Sequence, residues 1–139
     1  MTPNETLRRE AEKWLREAAM DLSSAKLLLP SKDPVPSRSL FHSQQAAEKA
    51  AKAFLALRNS PFRKTHDLVE LGLQCGDLDP ALGPLLSEAA DLTDYASTFR
   101  YPDAPYAPDL EEATRALEIA ERVYEEVRLR VEGTGSSEP

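Results

Sequence analysis

The sequence predicts an all-α protein: an up-down bundle of four main helices with one or two short ones. Three observations carry that prediction. Apolar residues recur at three- and four-residue steps through Leu7–Leu29, Leu40–Leu57 and Leu110–Val131. Proline and glycine fall between these stretches and not inside them. Nowhere does the two-residue alternation of a half-buried strand compete. The chain has 139 residues, which suits one core, since domains typically run to roughly 100–150 residues. The expected organisation is a single helical domain over 1–132 and a disordered tail over 133–139.

The first helix opens on a capping box. Thr2 is the cap, Pro3 takes the first helical position and Glu5 follows three residues after the cap. Leu7, Ala11, Trp14, Ala18, Leu22, Ala25 and Leu29 then keep one face apolar up to Pro30. Trp14 reads as a core or dimer-interface residue from its place in that stripe. Ser31 to Ser37, with Pro34 and Pro36, is a connection.

The central helix spans Leu40 to Arg58. It is rich in alanine, leucine, lysine and glutamine and has strong helix propensity. Ala47, Ala50, Phe54 and Leu57 form its packing stripe, and so much alanine allows a neighbour to approach closely. His42, Gln45, Lys49 and Lys52 fall along another face. After the break at Asn59 to Phe62, Thr65 is the expected cap of a short helix carrying Leu68, Leu71 and Cys75, with Gly76 ending it. Asp79-Pro80 starts a further turn, which Gly83-Pro84 kinks or restarts. Leu85, Ala89, Leu92, Ala96 and Phe99 continue in helical register until Pro102, Pro105 and Pro108. The last helix starts near Asp109, which forms a capping pair with Glu112. Leu110, Ala113, Leu117, Ala120, Tyr124, Val127 and Val131 mark its inner face.

Composition excludes several functions. A formal charge of −7 disfavours general attraction to a polyanion, so any phosphate site must be local. A single cysteine, Cys75, rules out an intrachain disulfide and a cysteine-rich zinc site, and two histidines offer little for a metal. No cofactor is expected. No long apolar run or signal-peptide pattern appears, which points to a cytoplasmic protein without a membrane segment. One local feature runs against the acidic whole. No acid lies between Glu48 and Asp67, whereas Lys49, Lys52, Arg58, Arg63 and Lys64 all do.

Three landmarks appear in order on these helices. They are Phe41-His42-Ser43-Gln44-Gln45-Ala46-Ala47-Glu48-Lys49-Ala50, Lys64-Thr65-His66-Asp67-Leu68 and Phe99-Arg100-Tyr101-Pro102-Asp103. Together they make the chain resemble the HEPN domain (higher eukaryotes and prokaryotes nucleotide-binding), over nearly its whole length. The resemblance implies a helical bundle that usually forms a homodimer and is commonly encoded beside a minimal nucleotidyltransferase. Many such pairs act as toxin–antitoxin modules. In the catalytic branch the HEPN member is a metal-independent ribonuclease, with an arginine followed four to six residues later by a histidine, contributed by both subunits.

Arg100 fills the arginine position, but the residue six places on is Tyr106, and no histidine follows. RNA cleavage without a metal needs a base for the ribose 2′-hydroxyl and an acid for the leaving oxygen, tasks that suit a group with a pKa near neutrality. Tyrosine, with an ordinary pKa near 10, is a poor base at neutral pH. The resemblance then implies a binding module in which Arg100 grips a phosphate bidentately. Lys49, Lys52, Arg63, Lys64 and His66 supply supporting charge, and Tyr101 or Tyr106 a stacking surface. The alternative is a divergent ribonuclease using Arg100 with Asp103 and Tyr106. A third reading is a dimerising bundle without a ligand, in which Arg100 pairs with Asp67 or Asp103.

Overall fold

The computed structural model describes residues 2–29, 36–93 and 108–136, with 134–136 described by backbone alone. Helices and no strands occur among them: α1 (Pro3–Leu28), α2 (Pro36–Leu57), α3 (Leu68–Leu78), α4 (Leu82–Thr93) and α5 (Leu110–Ser136). The all-α expectation holds. Its Ala96–Phe99 continuation of α4 lies outside the described residues, as do Arg100, Tyr101, Asp103 and Tyr106.

Local chemistry sets the helix ends. At α1 the Thr2 hydroxyl accepts from the Glu5 amide at 3.1 Å, and the Thr2 amide donates back to the Glu5 carboxylate at 3.4 Å. α2 begins at Pro36, four residues ahead of the expected Leu40, because proline at a first helical position gives up an amide that would be unpaired anyway. It ends at Leu57, and two residues on Asn59 is left-handed, with a φ of 53°. There the Ser60 amide reaches the Leu55 carbonyl at 2.9 Å and the Asn59 amide reaches Ala56 at 3.1 Å, closing the last turn.

Three expected ends move. Asp67, not Thr65, caps α3: its carboxylate accepts from the Val69 and Glu70 amides at 3.0 and 3.2 Å. Thr65 instead accepts from the Asp67 amide at 3.0 Å, which braces the capping residue. Gly76 does not end α3, which continues to Leu78. The glycine is there for packing, since a Cβ on Gly76 would lie 3.2 Å from the Gly83 Cα on α4. Asp109 and Glu112 do cap α5 reciprocally, at 2.8 and 3.2 Å. That helix runs past Gly133, the expected start of the tail, to Ser136.

α1 and α2 lie against each other, α5 packs on both, and α3 and α4 form a pair lying on α2 and α5. α2 is the central element. Ala46, Ala47, Ala50, Ala51, Ala53, Phe54 and Leu55 are all sealed from solvent, so the helix is enclosed on most of its circumference. Alanine lets α1 and α5 close in, and each large side chain such as Phe54 contributes about 1.5–3 kcal/mol by its burial. The turn after α3 is tied to α5 by Arg130, whose Nε donates to Asp79 at 2.7 Å. Leu110, expected on the inner face of α5, is 46% exposed at the first residue of that helix. Leu15 of α1 is buried, although it was not part of the expected stripe.

Candidate functional site

The polar face of α2 meets solvent, α1 and the turn leading into α3. Its chemistry divides into an upper and a lower half. In the upper half, Asp21 of α1 is 9% exposed and holds two groups of α2 at once. One carboxylate oxygen meets His42 Nδ1 at 2.9 Å, and the other accepts from Lys49 Nζ at 2.6 Å. Glu17 adds a second carboxylate 3.7 Å from the same Lys49 nitrogen. This part of the face is an interhelical clamp.

In the lower half, Glu48 is 1% exposed. One of its oxygens meets His66 Nδ1 at 3.1 Å, while the other, Oε2, has no hydrogen-bond partner among the described residues. Burial pushes the Glu48 carboxyl above its ordinary value, against the opposing pull of His66, Lys52 and Gln44. The imidazole it holds is itself largely in solvent, 79% exposed. With Glu48 ionised, Nδ1 is the donor in this contact. One helical turn on, Lys52 is 7% exposed and lays its ammonium 5.3 Å from the centre of the Trp14 ring. Trp14 is half-buried and meets Phe62 edge-on at 6.1 Å, so it is a supporting wall of the core.

Acids from outside the acid-free window therefore reach into it. Lys49 is held by Asp21 and Glu17, and Lys52 lies over Trp14. Arg63 is paired through two contacts, at 2.9 and 2.6 Å, with Glu70 of α3. That pairing raises the guanidinium and lowers the carboxyl from their ordinary values. Lys64 is exposed, with no ion pair among the described residues, and His66 offers its outer nitrogen. Of the expected site residues with described positions, the turn between α2 and α3 thus brings Lys64 and His66, two residues apart, to the surface. Lys49, Lys52 and Arg63 are engaged within the fold.

Two residues of this arrangement were not singled out from the sequence, Asp21 and Glu48. Each carried a signal. Asp21 sits within the apolar stripe between Ala18 and Ala25, and Glu48 is ringed by Ala46, Ala47, Ala50 and Ala51. An acid at such a position must be paired or protonated.

Cys75 is sealed in the core, and its thiol lies 3.6 Å from the Ala51 carbonyl. Burial, helped by the Asp79 charge, pushes it up to about 12, so it is neutral and unreactive at physiological pH. Among the described residues no helix is long and apolar enough to cross a membrane.

A model of the HEPN domain matches residues 11–130. The chain belongs to the HEPN family. The match takes in the Asp21–His42–Lys49 clamp, the Glu48–His66 pair and the Arg100 segment. No curated protein and no solved structure matches this HEPN chain.

Proposed function

We propose that this HEPN domain is a nucleotide- or RNA-binding module of the cytoplasm. In this reading it forms a homodimer, works with a minimal nucleotidyltransferase in a toxin–antitoxin-like pair, and does not itself cleave RNA. The observation that carries the reading is the family match over residues 11–130, in a sequence whose two histidines both precede Arg100. Arg100 anchors a phosphate, with Tyr101 as a stacking surface. The exposure of Lys64 and of the outer face of His66 favours these two as further contacts. Lys49, Lys52 and Arg63 support the site by holding its scaffold.

A second reading, a divergent metal-independent endoribonuclease using Arg100 with Asp103 and Tyr106, gains from one feature. An exposed imidazole backed by a buried carboxylate is the arrangement of a proton-transfer group, and Glu48 gives His66 that backing. Incubating the purified chain with RNA in a chelator separates the two. The binding module leaves RNA intact, and Tyr106→His, which restores the arginine–histidine spacing, is the variant expected to gain cleavage. Cleavage by the wild type that leaves 2′,3′-cyclic phosphate ends and is lost in Arg100→Ala or His66→Ala would establish the ribonuclease instead.

A further inference from the structure

α3 and α4 run antiparallel, with Gly72 facing Leu86 and Gly76 facing Gly83. The glycines carry no side chain, so the seam between the helices stays open as a groove of about 370 Å³. Leu86 and Ala90 line it and are buried. Val69 and Leu73 stand beside it, four residues apart on one side of α3 and 59% and 69% exposed. Large apolar side chains held in water beside an apolar groove mark a contact surface, and a groove between two helices suits a third helix.

Charge narrows the occupant. From Asp67 to Thr93 the chain carries six acids and no Lys, Arg or His. Asp67 caps α3, Glu70 holds Arg63 and Asp79 holds Arg130. Glu88 lines the α4–α5 side together with Arg122. Asp77 and Asp91 are left for the groove: both line it, both are exposed, and neither has an ion pair among the described residues. No cationic side chain lines it. An acidic helix or a nucleic acid would be repelled here, and so would the same groove of another copy, so the occupant has to supply cations.

The acids also set a spacing. Asp77 stands on α3 at the Gly76–Gly83 end and Asp91 on α4 at the Leu68 end, so the two carboxylates mark opposite banks at opposite ends. Leu68 and Asp77 are nine residues apart, a span of about 14 Å along the helix axis. An occupying helix covers that span in about nine residues too, and at about 100° per residue the two ends project to opposite flanks. One cation near each end then meets one acid on each bank.

We propose that the α3–α4 groove docks an amphipathic helix of a different protein, with apolar residues on the face that enters and Lys or Arg about nine residues apart on its two flanks. Val69 and Leu73 cover the apolar face of that helix, and Asp77 and Asp91 pair with its cations. The contact is separate from the phosphate contacts proposed above and does not depend on whether the chain binds or cleaves RNA.

Fluorescence anisotropy of the full chain with a labelled synthetic helix of about 18 residues, Leu on one face and Lys on both flanks, tests the assignment. The expected result is saturable binding that weakens with salt and loses at least about tenfold in Leu73→Glu and in Asp77→Lys/Asp91→Lys. The charge-reversed chain should instead prefer the peptide with Glu in place of every Lys. Glu111→Lys/Glu118→Lys, which reverses two exposed acids of α5 outside the groove, should bind as the wild type does. All these positions are exposed, and circular dichroism verifies that the helices remain. No binding by the wild type, or binding indifferent to Leu73→Glu, overturns the assignment. Equal loss in the Glu111→Lys/Glu118→Lys chain reduces the attraction to general charge and overturns it as well. Self-association in sedimentation that is lost in Leu73→Glu and is competed by the peptide gives the groove to a second copy and overturns the different partner.

Discussion

Glu48 is where the fold and the candidate site meet. Its carboxyl is enclosed by alanines, carries one unpartnered oxygen and holds an exposed histidine. Because burial raises its pKa in the folded chain, the folded state binds the proton more tightly than the unfolded one. The contribution of this group to stability is then full below the ordinary carboxylate range and is lost as pH rises through its folded-state value. Glu48→Gln keeps an acceptor for His66 and removes the buried charge. It should melt above the wild type at pH 7–8, with the two Tm values converging as the pH is lowered through the carboxylate range. A lower Tm for Glu48→Gln at neutral pH would mean that the contact of the carboxylate with His66 outweighs the desolvation. A nearby pair tests the start of α3. Asp67→Ala removes two bonds to backbone amides and should cost about 1 kcal/mol, typical of a lost N-cap. Thr65→Ala should cost less, and equal losses in denaturant unfolding would return the cap to Thr65.

At the scale of elements, the glycines separate two roles that sequence alone treats alike. A methyl group on Gly76 meets the Gly83 backbone at 3.2 Å, whereas one on Gly133 meets nothing within 4 Å. Replacing a helical glycine by alanine favours the helix by about 0.8–1 kcal/mol. At Gly76 the crowding opposes that gain, since overpacking costs typically 1–3 kcal/mol. Gly76→Ala should therefore be net destabilising by about 1 kcal/mol, and Gly133→Ala stabilising by up to that amount, as read from the denaturant midpoint. The reverse order would show that α3 and α4 can move apart freely. The same contrast explains how legible the fold was. Helix periodicity and the Thr2 and Asp109 caps are local patterns and were readable in order. The role of Gly76 was not, because it depends on Gly83 crossing it from another helix. The partners of Asp21, Glu48 and Glu70 were not readable for the same reason, because each lies on another element. The basic window is free of acids along the chain, but α1, α2 and α3 bring acids to it in space.

For the whole molecule, an acidic chain has to concentrate positive charge locally to hold a phosphate. Much of the cationic material near α2 is already committed: Lys49 to α1, Lys52 to Trp14 and Arg63 to Glu70. The burden of ligand binding in the proposed reading therefore falls on Arg100, with Lys64 and His66 as further contacts, and α2 holds the frame. The most direct test is calorimetric titration of the purified chain with nucleotides and a short RNA at low and raised salt. The account predicts binding that weakens steeply with salt and that drops by about 1.5–3 kcal/mol in Arg100→Ala, the usual worth of a charge-assisted contact. The absence of binding to wild type at low salt, or equal binding by Arg100→Ala, would contradict it.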